Sequence, residues 1–338
     1  MFSVIDCGTT FSRVYIIDNN RQIVTDTCAQ VGVRDTVVSG SKEKLKQALT
    51  TLFHEALDNS GLAVSDIDFV IASGMITSEI GLIEIPHLIA PAGIAELSKG
   101  VVRVNDPGIL PIGIPIYFIP GIKNHYSEDA RAQDLMDIDF MRGEEVQCVG
   151  ILTQDIAVPC SIVTLSSHTK VVYIDKNRKI AASNTTISGQ LYDAILNHSS
   201  IGKSLVEKEG EPAGGYTYQE LIQIACDCVA NTGLGRTLLM PRFLQVLLKT
   251  NAWEREVFTN AAIAADDMKA FEDMRKRGLA NDRYIIYGHQ NRCEMYQYML
   301  RKFYGDNMEI TCISDKDKIG KLTVLGCIAV AEHLISHA

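Results

Sequence analysis

The chain predicts an α/β protein of two lobes with a mixed sheet in each, and three observations carry that prediction. First, residues 4–17 read as a hairpin in which apolar runs flank Asp6, Gly8, Thr9 and Thr10. Second, shifting the chain by 157 positions lays residues 13–23 over 170–180 with six of eleven identical, and puts Thr9-Thr10 over Ser166-Ser167. Third, strand-like and helix-like periods alternate along both halves, the order expected of a mixed sheet with helical cover.

Composition bounds the rest. At 338 residues, 46% hydrophobic and 22% charged, the chain is long enough for two domains with real cores. A formal charge of −9 argues against a nucleic-acid or anionic-membrane surface, which needs concentrated Lys and Arg. The start, Met1-Phe2-Ser3-Val4-Ile5, lacks the basic residues of a secretory leader and is cut by Asp6. The most apolar segment, 322–335, carries Glu332 and His333 and is expected to be too short to span a bilayer. Nine scattered cysteines read as reduced thiols, and the one-residue spacing of Cys226 and Cys228 does not suit zinc.

Taken in order, Asp18-Asn19-Asn20 is a turn and 22–27 a third strand. Leu45, Leu49, Leu52, Phe53, Ala56 and Leu57 follow helical spacing until Gly61, and 68–72 returns to strand. Residues 73–120, rich in Gly and Pro, are expected to be loops and short pieces shaping a pocket rim. A helix follows at 141–152, and Pro159 closes the half.

The second half repeats the opening, then turns helical over 218–277 with breaks at 231–233 and Pro241. A strand at 284–288 ends in Gly288, a helix spans 292–303 and a strand 308–313. The last helix, 319–336, carries Gly320, Gly326, Ala329 and Ala331, which permit close approach to the 141–152 helix at an interlobe hinge. The domains read as an N-terminal lobe over 1–140, a linking helix over 141–158, a C-terminal lobe over 159–318 and an interlobe helix over 319–338.

A glycine turn lets backbone approach a ligand, and amides with Thr9 and Thr10 hydroxyls suit a phosphate. Asp6, just before the turn, is placed to hold a metal ion or its waters. A tight hairpin whose acid and threonines satisfy only their own backbone fits the same residues. The repeat itself reads as two related lobes facing one another across a cleft, or as two strand-turn-strand segments that look alike because turns favour Asp and Asn.

The run Asp139-Phe140-Met141-Arg142-Gly143-Glu144-Glu145-Val146-Gln147 stands between 119–121 (Ile-Pro-Gly) and 197–202 (Asn-His-Ser-Ser-Ile-Gly). With Asp6-x-Gly8-Thr9-Thr10-x-x-Arg13, Gly74-Met75, Pro86, Pro91-Ala92 and Thr185-Thr186-Ile187-Ser188-Gly189, it resembles the 2-dehydro-3-deoxygalactonokinase family over most of the chain. That resemblance implies an actin-like (ribonuclease H-like) ATPase fold of the sugar-kinase superfamily. It implies ATP-dependent, magnesium-assisted phosphorylation of the 6-hydroxyl of 2-dehydro-3-deoxy-D-galactonate in galactonate degradation. A cytoplasmic protein follows, with ATP and a sugar acid as partners, no nucleic acid and no membrane, and a homodimer left open.

The chain departs from the family where Ser166-Ser167-His168-Thr169-Lys170-Val171 replaces a Gly-Thr-His-x-Lys-Trp phosphate loop. Gln190 replaces a glutamate, Leu82 and His87 replace Trp and Tyr, and one glycine, Gly288, stands for a pair on the nucleotide side. These departures leave open a kinase for another sugar acid, or a homologue that binds nucleotide with weakened catalysis.

Phosphoryl transfer needs charge neutralisation, in-line geometry and a proton acceptor. Asp139 serves as the general base, or simply caps the 141–152 helix. Arg142 clamps the substrate carboxylate in a bidentate fork, or pairs with Glu144 or Glu145. The resemblance implies nucleotide contacts from Gly8, Thr9, Thr10, Ser166, Ser167, His168, Lys170 and Gly288, magnesium on Asp6, and substrate contacts from Arg13, Gly74, Met75, His87 and Glu144. Arg13 and Lys170 also read as exposed strand-end charges, and His198 as a loop-fixing residue.

Overall fold

The structure, a computed structural model, describes residues 1–279 and 281–337 and divides into two compact units. The first comprises Met1–Pro159, Ile174–Ser183 and Gly320–Ala338, and the second Cys160–Tyr173 and Asn184–Ile319.

The chain opens with β1 (Phe2–Cys7), β2 (Ser12–Ile17) and β3 (Ile23–Ala29), followed by α1 (Val33–Ser39), α2 (Glu43–Ser60) and β4 (Phe69–Gly74). The hairpin is as expected, and β3 starts one residue later than predicted and runs two further. Helix α2 ends where Gly61 takes the left-handed conformation, φ 68°, that favours glycine. Next come β5 (Leu88–Ile89), α3 (Ile94–Gly100), β6 (Val102–Val104), β7 (Ile116–Phe118), β8 (Ile122–Lys123), β9 (Phe140–Met141) and α4 (Glu144–Leu152).

Six of these strands form one mixed sheet in the order β3-β2-β1-β4-β7-β6. β1 pairs antiparallel with β2 and parallel with β4, and β7 continues parallel beyond β4. Ile5, Val14, Ile16, Leu49, Phe53, Val70 and Phe118 form its core with α2. Residues 73–120 hold more regular structure than expected, since α3 and β7 lie there and β7 is an inner strand. The predicted 141–152 helix begins only at Glu144, because Phe140–Met141 pairs with β8 and Gly143 turns the chain at φ 107°.

The second half gives β10 (Cys160–Leu165), β11 (Thr169–Ile174), β12 (Ile180–Thr186), α5 (Ser188–His198), α6 (Gly202–Leu205), α7 (Tyr218–Thr232), α8 (Leu234–Thr237), α9 (Met240–Val246) and α10 (Ala252–Lys276). It closes with β13 (Arg283–Gly288), α11 (Gln290–Tyr304), β14 (Glu309–Ile313) and α12 (Lys316–Ser336). The strand order β12-β11-β10-β13-β14 repeats the pattern of β3-β2-β1-β4-β7, with β13 parallel to β10. Every residue of β10 is buried, as in a strand covered on both faces.

Helix α12 packs on α4 through two glycines. A Cβ on Gly150 would fall 2.1 Å from the Leu322 carbonyl oxygen, and one on Gly326 would fall 1.9 Å from that of Val146. Small residues at the contact are what allow the helices to approach so closely. At 21 residues α12 is longer than the apolar stretch read from the sequence and is, by length and composition, long and apolar enough to cross a membrane, yet half of its most apolar 18-residue window is buried within the protein.

Candidate active site

The first turn joins β1 to β2 within the first unit. Gly8 N–H donates to the Phe11 carbonyl at 2.9 Å, and the Gly8 and Thr9 carbonyls accept from Val33 N–H at 3.2 Å and Arg34 N–H at 2.9 Å. Gly32 makes that seat, since a Cβ there would meet the Thr9 backbone at 2.5 Å. With the carbonyls so engaged, the amides and hydroxyls of Thr9 and Thr10 carry no hydrogen bond among the described residues. Such an array of outward N–H and O–H donors suits an anion.

Asp6 stands opposite Arg13 in the hairpin register, with Arg13 Nη1 3.9 Å from its carboxylate. Burial pushes the Asp6 pKa up, while the Arg13 charge and the Thr323 hydroxyl oppose the shift. Among the described residues no three or more His, Cys, Asp or Glu gather as a metal cluster. A single carboxylate beside unengaged hydroxyls still fits magnesium, which keeps several waters and takes further ligands from substrate phosphates.

β4 ends at Gly74, φ 90°, where a Cβ would fall 2.5 Å from the Cys7 carbonyl. Beyond it Met75 is half-buried and Thr77 Oγ1 donates to the Gly74 carbonyl at 3.1 Å. Arg142 reaches this loop, donating to Thr77 Oγ1 at 2.9 Å and the Ile85 carbonyl at 2.6 Å, with His87 Nδ1 at 3.4 Å. The fork therefore holds residues 77–87. Burial pulls its pKa down, against the charges of Glu145, Glu79 and Glu84.

Both carboxylate oxygens of buried Glu145 accept from Gly143 N–H, at 2.9 and 2.8 Å. Gly143, whose Cβ would lie 3.4 Å from Gly74 Cα, brings the 139–145 run against the end of β4. Gly143 stands at the N-cap of α4, so Asp139 does not cap that helix. Half-buried Asp139 accepts from Phe140 N–H at 2.9 Å, and its carbonyl accepts from Asn124 N–H at 2.8 Å. Glu144 is half-buried in the first turn of α4.

The second turn lies in the second unit and is built alike. Ser166 N–H donates to the His168 carbonyl at 3.0 Å, and Ser167 Oγ lies 3.2 Å from His168 Nδ1. The Ser167 carbonyl accepts from Gln190 N–H at 2.8 Å and the Ser166 carbonyl from Arg292 Nη1 at 2.7 Å. Gly189 makes the seat, since its Cβ would fall 2.1 Å from the Ser166 carbonyl oxygen. Lys170 is buried, which excludes the exposed-charge reading. Gly288, φ 152°, closes on the Leu165 carbonyl, its Cβ position 2.6 Å away.

Two features escaped the sequence reading. Buried Asp267 of α10 accepts from Ser188 Oγ at 2.5 Å and from the Tyr296 hydroxyl, which in turn lies 3.1 Å from Thr169 Oγ1. Beside it a cavity of about 480 Å³ is lined by Tyr192, Tyr218, Trp253, His289, Arg292 and Met295. Burial and the nearby Glu294 push the Tyr218 phenol up to about 12. The single tryptophan of the chain and a histidine directly after Gly288 were the available signals.

Residues 6–316 match the family model described as 2-keto-3-deoxy-galactonokinase. A candidate 2-dehydro-3-deoxygalactonokinase of Rhizobium meliloti is 24% identical over 65% of this chain and 64% of its own length. The 2-dehydro-3-deoxygalactonokinase of Escherichia coli is 27% identical over 54% of this chain and 51% of its own. The aligned chain thus spans less than two thirds of each curated relative. A crystal structure of a candidate 2-dehydro-3-deoxygalactonokinase from Sinorhizobium meliloti superimposes with a TM-score of 0.72 at 19% identity, covering 98% of both chains, which fixes the fold.

Proposed function

Because the chain belongs to the 2-keto-3-deoxy-galactonokinase family, we propose that it is an ATP-dependent kinase transferring a phosphoryl group to the 6-hydroxyl of 2-dehydro-3-deoxy-D-galactonate in the cytoplasm. The observation that carries the reading is the pair of glycine-seated turns, Gly8 to Thr10 and Ser166 to His168, on a chain matched by that family from residue 6 to 316.

In this reading the donors of Thr9, Thr10, Ser166 and Ser167 bind phosphate oxygens, with His168 and Lys170 supplying further donors and positive charge. Asp6 holds magnesium, which when bound neutralises charge on the phosphates. Asp139 takes the proton of the attacking hydroxyl. Arg142 positions the 77–87 loop, so that His87 and Met75 face the sugar acid together with Gly74, Arg13 and Glu144. Gly288 and the aromatic cavity next to it accept the nucleoside.

The test is ADP release against a panel of sugar acids. Turnover is expected with 2-dehydro-3-deoxy-D-galactonate, and Asp139→Asn should lower kcat by about 100-fold or more, the usual worth of a positioned base. Full activity in that variant would remove Asp139 from the chemistry. A better substrate elsewhere in the panel would instead favour a kinase for another sugar acid, for which His87 and buried Leu82 are the distinguishing positions.

A further inference from the structure

Two cysteines of the second unit stand together where neither the turns nor the cavity uses them. Cys293 is buried in the first turn of α11 and Cys312 is exposed on β14, the edge strand of its sheet. Cys312 Sγ lies 4.0 Å from the Cys293 carbonyl, and Cys293 Sγ lies 3.5 Å from the Gly288 carbonyl. The remaining exposed thiol, Cys28, sits on β3 in the other unit.

The adjacent Cys293 side chain, with Arg301 acting in the same direction, draws the Cys312 pKa below the ordinary thiol value. The neighbouring Cys312 and burial push Cys293 up, so Cys293 keeps its proton and Cys312 provides the thiolate. A solvent-exposed thiolate beside a resolving thiol is the arrangement that reacts with disulfides.

We propose that Cys293 and Cys312 are a redox dithiol that closes to a disulfide on reaction with a low-molecular-weight disulfide, clamping the first turn of α11 to β14. The Cys312 thiolate attacks one sulfur of the small disulfide, forming a mixed disulfide and expelling one small thiolate, which takes up the Cys312 proton. Cys293 then gives up its proton and attacks Cys312 sulfur, expelling the second small thiolate, which is protonated in turn. Two protein thiols are oxidised by two electrons and one small disulfide is reduced to two thiols.

The clamp has a built-in reporter. His289 at the N-cap of α11 and Asn291, Arg292 and Met295 of its first turns line the cavity that Trp253 also lines, and Trp253 is the only tryptophan in the chain.

The experiment treats the full chain with oxidised glutathione, maps peptides by mass spectrometry and follows Trp253 emission. Wild type should lose two titratable thiols to a linked 293–312 peptide pair, with an emission change that dithiothreitol reverses. Cys312→Ser, an exposed and mild change, should give no linkage and no emission change. Cys293→Ser should stop at glutathione on Cys312. A wild-type protein that carries glutathione on Cys312 without the 293–312 linkage overturns the proposal. These readouts do not depend on kinase turnover, so their failure would leave the functional reading standing.

Discussion

The turn at Gly8 to Phe11 and the turn at Ser166 to His168 share a scaffold and differ in chemistry. Gly32 and Gly189, which back the two turns, are separated by the same 157 residues that relate the hairpins. Arg21 and Arg178 take matching left-handed conformations, φ 64° and 61°, each donating N–H to the aspartate that opens its turn. Against that likeness, the first turn carries the acid Asp6 where the second has Val163, and the second is held by Arg292 and fitted with His168 and buried Lys170. The backbone device is repeated, while the side chains differ: the first turn has the acid Asp6 where the second has Val163, the second has His168 where the first has Phe11, and the cations Arg13 and Lys170 stand at matching places on both.

The sharpest way to break the likeness is to fill the seats. Gly189→Ala places a Cβ 2.1 Å from a backbone oxygen and Gly32→Ala one at 2.5 Å, neither against a side chain that could give way. Thermal unfolding should show losses of about 3 and about 2 kcal/mol, the size of overpacking in a closed site. Equal stability to wild type in either variant would mean that the glycine is not a seat.

A smaller contrast separates the two arginines. Glycine relieves a left-handed residue of about 1 kcal/mol, and the Arg21 side chain makes an exposed pair with Glu332 and lies 5.7 Å over the Phe2 ring, contacts that at exposed sites are each worth about 1 kcal/mol or less. Arg178 instead donates to the carbonyls of Leu152, Gln154 and Ile156 after α4. In denaturant titrations Arg21→Gly should be neutral or slightly stabilising, and Arg178→Gly should cost about 1–2 kcal/mol. Identical effects would dissolve the distinction.

The smallest expected effect concerns Asp6. Its folded pKa is raised by burial, so the native state holds this proton more tightly than the unfolded chain. Stability from this group is present below the ordinary carboxylate range and is lost as pH rises through the raised value. Asp6→Asn should therefore unfold at a higher temperature than wild type near neutral pH and lose that advantage in acid. A variant less stable than wild type at neutral pH would show that the Arg13 pairing outweighs burial.

Much of this was legible in the residues. The hairpins, α2, α12 and the helical character of 218–277 announce themselves through clear periods, and the contact of α12 with α4 follows from the small residues of α12. What escaped is short or strained. β7 is three residues within a Gly- and Pro-rich stretch, yet pairs inside the sheet, and α1 is built from valine and threonine with poor helix propensity. The start of α4 was misplaced by three residues because the Gly143 turn, φ 107°, leaves no periodic trace. At the site, the seats were within reach, since carrying the 157-residue shift past Ile180 lays Gly32 on Gly189. The loop held by Arg142 was not, because its partners are a threonine hydroxyl and a main-chain carbonyl that no spacing identifies.

The claim that both turns are phosphate sites is tested most directly by nucleotide titration of two double variants, Thr9→Val with Thr10→Val and Ser166→Ala with Ser167→Ala. Each removes hydroxyl donors and leaves the glycine seat intact. Hydrogen bonds to a charged group contribute about 1.5–3 kcal/mol, so each pair should weaken ATP binding by about 10-fold or more while AMP binding changes little. ATP affinity unchanged in either pair would contradict the account and return that turn to a hairpin that serves only its own backbone.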